Sequence, residues 1–287
     1  SGDRATVEAQ HGRYYLAYLA DRGRRLGRQE PKEASSEIQA ELDNVRLAWQ
    51  WAVAQGCLWE IEQATYAWWQ YCQFQGLEFE GRQSFAVAVE GVRWQLAQRS
   101  TDEVDGLLGQ RLLAKLLALH ANYLFAQGCD EEMAAQAREA MALGAANGGV
   151  EGEIFGTFVL GRALQELGQK RAAREMWQQT LQLVRVYQPQ YPENELLHEA
   201  HWMAHNWLRG SALHFGDYTD SRTYMVQVLQ ICQQLGKRWG ELYCLAALAG
   251  IDFYLYDFAA AETGFGAALD LARILSYRRV EMVAQDG

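Results

Sequence analysis

Three histidines within eight residues form the pattern with the clearest chemical potential. His198, His201 and His205 lie at helical offsets of 0, 3 and 7, which places them within about 60° of one another on a helix. Imidazoles bind zinc, so one alternative is a metal-dependent helical enzyme. The simpler interpretation is a polar helix face or a partner interface, because Trp202 and Trp207 interleave and no His-Glu-x-x-His pattern occurs. We therefore expect no catalytic residue, no metal and no cofactor.

The composition favours an all-helical protein with a large core. Of the 287 residues, 49% are hydrophobic, and no proline occurs in residues 32–188. Proline interrupts helix interiors, so long helices can form throughout this stretch. The ends of the chain also suggest a piece of a longer protein, because it begins with Ser1 and Gly2 and has no initiator methionine.

The net charge of the chain limits the classes of partner that it can bind. The formal net charge is −10, whereas nucleic-acid-binding domains carry a basic face. Basic residues cluster at Arg22, Arg24, Arg25 and Arg28 and at Arg278 and Arg279, near the two ends. We interpret them as solvated helix ends or domain junctions and expect no direct nucleic-acid contact.

The cysteines and the hydropathy pattern indicate the compartment. Five cysteines occur without a Cys-x-x-Cys pair, as in cytoplasmic proteins with reduced thiols. No apolar run reaches the ~18 residues that a transmembrane helix needs. We therefore expect a cytoplasmic location without membrane association.

A turn with a glycine recurs every 40 to 50 residues or so, a spacing typical of helical repeats. The clearest copy is at Gly168, where Gly161 precedes the turn and Ala173, Trp177 and Thr180 follow it. This order of small and aromatic residues resembles the tetratricopeptide repeat. It predicts an all-α, right-handed superhelical solenoid of antiparallel helix hairpins. The other turns fall at Gly76, Gly128, Gly216 and Tyr256-Asp257.

The periodicity predicts two leading helices followed by five hairpins. The leading helices cover residues 6–25 and 34–55, with Ser35 or Ser36 as N-cap of the second and Gly56 at its end. We accordingly divide the chain into leading helices (1–56), which form a junction to a missing upstream domain, and a hairpin array (57–287). The predicted hairpins are 58–74/78–98, 107–126/130–146, 152–167/170–187, 195–215/218–235 and 238–255/258–276. We place longer connections at 99–103, 147–151 and 188–193.

Three segments near the start carry a more specific resemblance. They are HGRYYLA at 11–17, ELDNVRLAWQWA at 41–52 and AWWQY at 67–71, followed by Gly76 and residues 80–82 (EGR). This order resembles the region after the NTPase and winged-helix modules of bacterial signal-transduction (STAND-type) NTPases, including large transcriptional regulators of the maltose-regulator type. The resemblance implies a helical array that acts as a sensor or partner platform. The chain itself has no phosphate-binding loop.

Two local patterns within these segments suggest structural roles. We expect Asp43 and Asn44 to bond locally or to link their helix to its neighbours. Trp68 and Trp69 point about 100° apart on a helix, so one should lie in the core and the other between hairpins.

The first helices of the hairpins should present the functional surface, which we call the inner face. Counting back from each turn glycine, as the resemblance implies, gives a mixture of aromatic, amide and cationic residues. Its expected cations are Lys115 and Arg162. The expected binding residues are Tyr66, Gln70, Gln73, Lys115, Asn122, Phe155, Arg162, Gln165, Asn206, His214, Tyr243 and Phe253.

These observations predict a non-catalytic binding segment of a multidomain signalling NTPase or transcriptional regulator. Its partner would be a peptide, a protein, the adjacent NTPase domain or a small-molecule inducer. One alternative is a stand-alone protein-interaction adaptor. The other is the metal-dependent enzyme at His198, His201 and His205.

Overall fold

A computed structural model describes residues 2–27, 31–98 and 103–275. Within these ranges it contains thirteen α-helices and no strand. The predicted all-α class is therefore confirmed. In chain order the helices are α1 (Gly2–Gly27), α2 (Pro31–Ala40), α3 (Leu42–Gln55), α4 (Leu58–Gln75), α5 (Glu78–Gln98), α6 (Glu103–Leu124), α7 (Asp130–Asn147), α8 (Val150–Glu166), α9 (Lys170–Tyr187), α10 (Glu195–His214), α11 (Tyr218–Gln234), α12 (Arg238–Tyr254) and α13 (Phe258–Ile274).

Left-handed glycines end most of these helices. Gly76, Gly128, Gly168 and Gly216 have φ between 66° and 80°, as predicted for C-terminal caps. Gly148 takes the same conformation and turns the predicted long connection 147–151 into a short one. Among the described residues the one non-glycine with positive φ is Tyr256, at 63°. This conformation costs an L-residue roughly 1–2 kcal/mol.

The second leading helix differs from the prediction. It is divided at Glu41 into α2 and α3, and α2 begins at Pro31, a residue well suited to the first helical position. Ser35 and Ser36 therefore lie inside α2, and the predicted N-cap role is wrong. Ser36 Oγ donates to the Lys32 carbonyl, while the buried Ser35 accepts a bond from Gln75 of α4.

Small residues allow the helices to approach closely. A Cβ atom at Gly161 of α8 would lie 2.4 Å from Trp177 Nε1 of α9, and one at Gly152 would lie 2.5 Å from Ala114 Cβ of α6. At the last hairpin, a Cβ at Gly264 would lie 2.9 Å from Ala249 Cβ. The predicted pairing of Gly161, before the turn at Gly168, with Trp177 after it is thus present.

The chain divides into two compact units, Ser1–Ala200 and His201–Gly287. In the first unit α1 packs on α3 and α4, and the hairpins α6/α7 and α8/α9 pack on each other. In the second unit the core consists of residues of α11 and α12, including Met225, Val228 and Cys244, with Trp202 and Leu213 of α10 against them. The division predicted at residues 56/57 stays a prediction.

Some sequence-based expectations fall outside the described residues. These are the basic residues Arg28, Arg278 and Arg279, most of the connection 99–103, and the end of the last predicted helix at residue 276. The two later prolines lie, as predicted, in an irregular connection between α9 and α10. None of the described helices combines the length and apolarity required to span a bilayer.

Candidate functional site

The three histidines have separate surroundings. His198 Nε2 donates to the Pro192 carbonyl at 2.9 Å, and its Nδ1 accepts from Gln188 Nε2 at 3.0 Å. Both ring nitrogens of His198 are thereby engaged. In the second unit the ring centroids of His201 and His205 are 5.1 Å apart, and burial together with the charge of His201 lowers the pKa of His205 to about 3.

The described residues contain no group of three or more His, Cys, Asp or Glu side chains placed to hold a metal ion. The histidine pattern therefore has a local structural explanation. His198 fixes the irregular connection before α10, and His205 stays neutral within its helix packing.

In the first unit, Lys115 of α6 is buried between two carboxylates. Its Nζ lies 3.0 Å from Glu62 Oε1 of α4 and 2.9 Å from Glu151 Oε2 of α8. Asn194 Nδ2 donates to the other oxygen of Glu151 at 3.0 Å. The side chain of Lys115 is 6% exposed, so this predicted ligand-binding cation instead joins three helices.

The two carboxylates share one ammonium group, and this sets the direction of the pKa shifts. Burial alone would lower the pKa of Lys115, but the charges of Glu151 and Glu62 outweigh it and raise that pKa. Burial is the largest effect on Glu62 and raises its pKa; the charge of Lys115 lowers this pKa, the charge of Glu151 raises it, and the net shift is upward. The cluster thus has one more acidic than basic group.

Arg162, the second predicted cation, is also buried. It donates from Nη1 to Asn122 Oδ1, and its Cζ lies 3.9 Å from the centroid of the Phe125 ring. Burial lowers its pKa to about 10, so it keeps its charge at neutral pH. The predicted binding residues Arg162 and Asn122 bind each other, and both are less than 9% exposed.

Aromatic packing and a hydrogen bond from Tyr66 cover part of the remaining inner face of the first unit. Trp69 of α4 meets Phe155 of α8 edge to face with ring centroids 5.4 Å apart, and Phe155 is fully buried. Tyr66 donates to Glu199 Oε1 at 3.3 Å. Gln70 and Gln165 are half-buried, and Gln73 is exposed.

Trp68 and Trp69 divide their roles as predicted. Trp68 stacks on Tyr71 within its own helix, and its Nε1 donates to Ser84 Oγ at 2.8 Å. Trp69 contacts Phe155 and therefore lies between hairpins.

The segment that carries the family resemblance links the leading helices to the first hairpin. Asn44 Nδ2 donates to Tyr15 Oη at 3.2 Å and to Glu41 at 2.7 Å. Arg46 binds both oxygens of Glu80 on α5, at 2.6 and 2.7 Å. Asn44 thus links its helix to α1, one of the two roles predicted for Asp43 and Asn44. Asp43 instead accepts a local bond from Arg46 at 3.1 Å.

A groove of about 520 Å³ adjoins the Arg46–Glu80 pair. Trp49, Val53 and Val87 contribute apolar walls to it. The exposed position of Val87 leaves this wall open to solvent.

The inner face of the second unit is open. Arg209 of α10 donates from Nε to Asn206 Oδ1 at 3.1 Å and from Nη2 to Tyr243 Oη of α12 at 3.1 Å. Tyr243 is 45% and Phe253 52% exposed. His214 is exposed as well, with its ring 5.2 Å from that of Phe215.

Arg209 is the cation that the sequence reasoning missed. It follows Asn206 by three residues, so the two share one face of the helix, and this spacing could have revealed it. A guanidinium has five N–H donors, and the bonds to Asn206 and Tyr243 use two of them. The remaining donors can bind a carboxylate or a peptide carbonyl oxygen.

Three solved structures share this arrangement of helices at low identity. RapI in its apo form aligns with a TM-score of 0.59 and 11% identity over 97% of this chain and 80% of its own. BtubC from P. vanneervenii has a TM-score of 0.58 and 15% identity over 85% and 91%. A Rap protein complexed with Competence and Sporulation Factor has a TM-score of 0.56 and 11% identity over 99% and 80%.

The fold is tetratricopeptide-like. The sequence-based fold prediction of antiparallel helix hairpins is therefore confirmed. Identities this low establish the fold alone. No family model matches the chain, and the search of curated proteins found no match.

Proposed function

We propose that this chain is a non-catalytic binding segment whose ligand contacts the inner face of the second unit. The observation that carries the proposal is the group of Asn206, Arg209 and Tyr243. It combines the half-buried guanidinium of Arg209 and amide of Asn206 on α10 with the exposed phenol of Tyr243 on α12. These groups suit a peptide that presents a carboxylate and backbone carbonyls.

Exposure supports this choice over the other inner-face residues. Tyr243 and Phe253 offer accessible aromatic surface, whereas Lys115, Asn122, Phe155 and Arg162 are already buried against protein groups. A ligand could reach the latter four only by breaking contacts within the first unit. We therefore propose Asn206, Arg209, His214, Tyr243 and Phe253 as the ligand contacts.

The fold neighbours agree with a binding role. One of them was solved as a complex with Competence and Sporulation Factor. Another, from Bacillus subtilis, is called aspartyl phosphate phosphatase F, with a TM-score of 0.58 and 10% identity. At that identity its name carries no activity over to this chain.

The family resemblance supports a place in a larger cytoplasmic switch. In this proposal the array belongs to a bacterial signalling NTPase or transcriptional regulator, and peptide, protein or inducer binding shifts an off/on equilibrium. The shift is limited by the ligand's differential affinity for the two states. The gene upstream of Ser1 distinguishes this context from a stand-alone adaptor, because the NTPase proposal requires a phosphate-binding loop there.

A peptide array tests the proposed binding surface. The purified chain is incubated with an array of random octapeptides that carry free C-terminal carboxylates. We expect bound sequences whose affinity falls about tenfold in Arg209→Ala, consistent with a charged hydrogen bond. The matched control is Arg273→Ala, which removes an exposed arginine of α13. An array without binders, or equal affinity of the Arg209→Ala variant, would contradict the proposal.

A further inference from the structure

Tyr256 occupies a turn position that glycine fills elsewhere in the described residues. Its φ of 63° matches those of Gly56, Gly76 and Gly236, and its side chain is 81% exposed. The turn itself closes normally, with the Asp257 amide donating to the Asp252 carbonyl at 2.9 Å. Strained backbone conformations cluster at functional sites, and the Tyr256 side chain is mostly exposed, which makes it a candidate for contact with a partner.

Tyr256 is the end of a continuous series of aromatic rings, which we call the aromatic ladder. Its centroid lies 6.2 Å from that of Phe258, which is 5.5 Å from Phe253. Phe253 is 6.2 Å from Tyr254, and Tyr254 stacks on Tyr218 at 5.6 Å with an interplanar angle of 17°. The series thus joins the start of α11 to the turn between α12 and α13.

The aromatic ladder is exposed along most of its length. Phe253, Tyr254, Tyr256 and Phe258 are each more than half exposed. Contiguous apolar surface of this kind marks interaction sites on folded proteins, and Tyr and Phe are enriched at protein interfaces. The ring-to-ring contacts hold the side chains in place before a partner arrives, which lowers the entropy cost of binding.

The charges around the ladder define the chemistry of its partner. Asp217 and Asp220 lie at the start of α11, and Asp257 and Glu262 lie at the start of α13, all exposed. The nearby Arg222 is paired with Asp252 at 2.6 Å. A helix N-terminus offsets about half a charge, so the exposed carboxylates of Asp257 and Glu262 keep the end of the ladder near Tyr256 negative.

Aromatic faces with a negative surround attract guanidinium groups in particular. Arginine stacks on aromatic rings and forms bidentate bonds with carboxylates. We propose that the aromatic ladder docks an arginine-rich basic segment of a partner protein. The arginine side chains stack on Tyr254, Tyr256 and Phe258, and the carboxylates of Asp257 and Glu262 bind their N–H groups.

The aromatic ladder shares Phe253 with the proposed inner-face contacts, but it selects cations, whereas the Arg209 group selects anions. Tyr254 and Tyr256 are not among the proposed inner-face contacts, so substitutions of these two residues test the ladder independently of the inner-face ligand. The substitution Tyr256→Gly is the most direct probe, because it removes the ring and the strain together. A change that damaged the fold would lower the melting temperature, whereas this one should raise it by about 2–4 °C.

The experiment measures the fluorescence anisotropy of a labelled deca-arginine peptide at 150 mM salt, with deca-lysine for comparison. We expect tighter binding of deca-arginine, weakened about two- to fivefold by Tyr256→Gly and about tenfold by Tyr254→Ala/Tyr256→Gly, because each ring contributes one stacking contact. The control Tyr14→Ala removes a similarly exposed tyrosine of α1 and should leave the affinity unchanged.

Two outcomes would overturn the proposal. Equal binding by wild type and the double variant would show that deca-arginine responds to the net charge alone. Self-association of wild type that Tyr256→Gly abolishes, without any ladder-dependent peptide binding, would identify a second copy of the chain as the occupant.

Discussion

The inner faces of the two units carry similar residue types in opposite environments. In Ser1–Ala200, the two cations Lys115 and Arg162 are enclosed by carboxylates, an amide and aromatic rings of neighbouring helices. In His201–Gly287, Arg209 and Tyr243 bind each other at the surface. Polar residues on a tetratricopeptide-like inner face can therefore hold helices together in one place and remain available to a ligand in another.

The largest expected difference between the two faces concerns the buried lysine. Lys115→Met leaves Glu62 and Glu151 without their shared cation, and we expect the free energy of unfolding to fall by about 3–5 kcal/mol. Arg209→Met removes a cation at the surface and should change it by less than about 0.5 kcal/mol. Urea unfolding followed by circular dichroism measures both. Equal losses of stability in the two variants would contradict the proposed difference between the buried inner face of the first unit and the open one of the second.

The next effect concerns Arg162. Arg162→Ala removes a charged hydrogen bond to Asn122 and the contact with Phe125, so we expect a loss of about 1.5–3 kcal/mol. Arg273→Ala, at an exposed i,i+3 pair, provides the control and should have little effect. If Arg162→Ala leaves the free energy of unfolding unchanged but weakens ligand binding, Arg162 is a ligand-binding residue, as the sequence predicted.

The smallest effect is a change in pH dependence. Because the pKa of Glu62 is raised in the folded state, the folded protein binds this proton more tightly than the unfolded chain. Stability from this group is present below its unfolded pKa of about 4.5 and is lost as pH rises through the folded pKa. Glu62→Gln should remove this loss.

The measurement compares urea midpoints of wild type and Glu62→Gln between pH 4 and pH 8. We expect the stability of the variant relative to wild type to increase with pH over this range. A relative stability that is constant with pH would mean that Glu62 titrates as it does in the unfolded chain, and that Lys115 balances both carboxylates.

The helices of the hairpins could be predicted from the sequence because their ends are encoded locally. A left-handed glycine such as Gly168 ends one helix, and the next helix begins a few residues later. The predicted and observed ends of most hairpin helices therefore agree within two residues. The break at Glu41 could not be foreseen in this way. No glycine or proline marks it, and contacts from Asn44 and Arg46 to other helices fix the start of α3.

The candidate site was harder to predict, because burial of an inner-face residue depends on distant helices. Phe155 is covered by Trp69, 86 positions earlier in the chain (155 − 69). Counting back from a turn glycine can place Phe155 on a face, but it contains no information about what lies opposite. The same limit explains why Lys115 was expected to bind a ligand, although its carboxylate partners come from α4 and α8.

The space around the turn glycines has a consequence for how such arrays change over evolutionary time. An added Cβ would meet no atom within 4 Å at Gly76, Gly128, Gly168 or Gly216. A Cβ added at these positions therefore meets the penalty of the left-handed backbone conformation but no steric clash. At each of these turns, one substitution can add or remove an exposed side chain without repacking the core. Tyr256 is an example of a turn position that carries such a side chain.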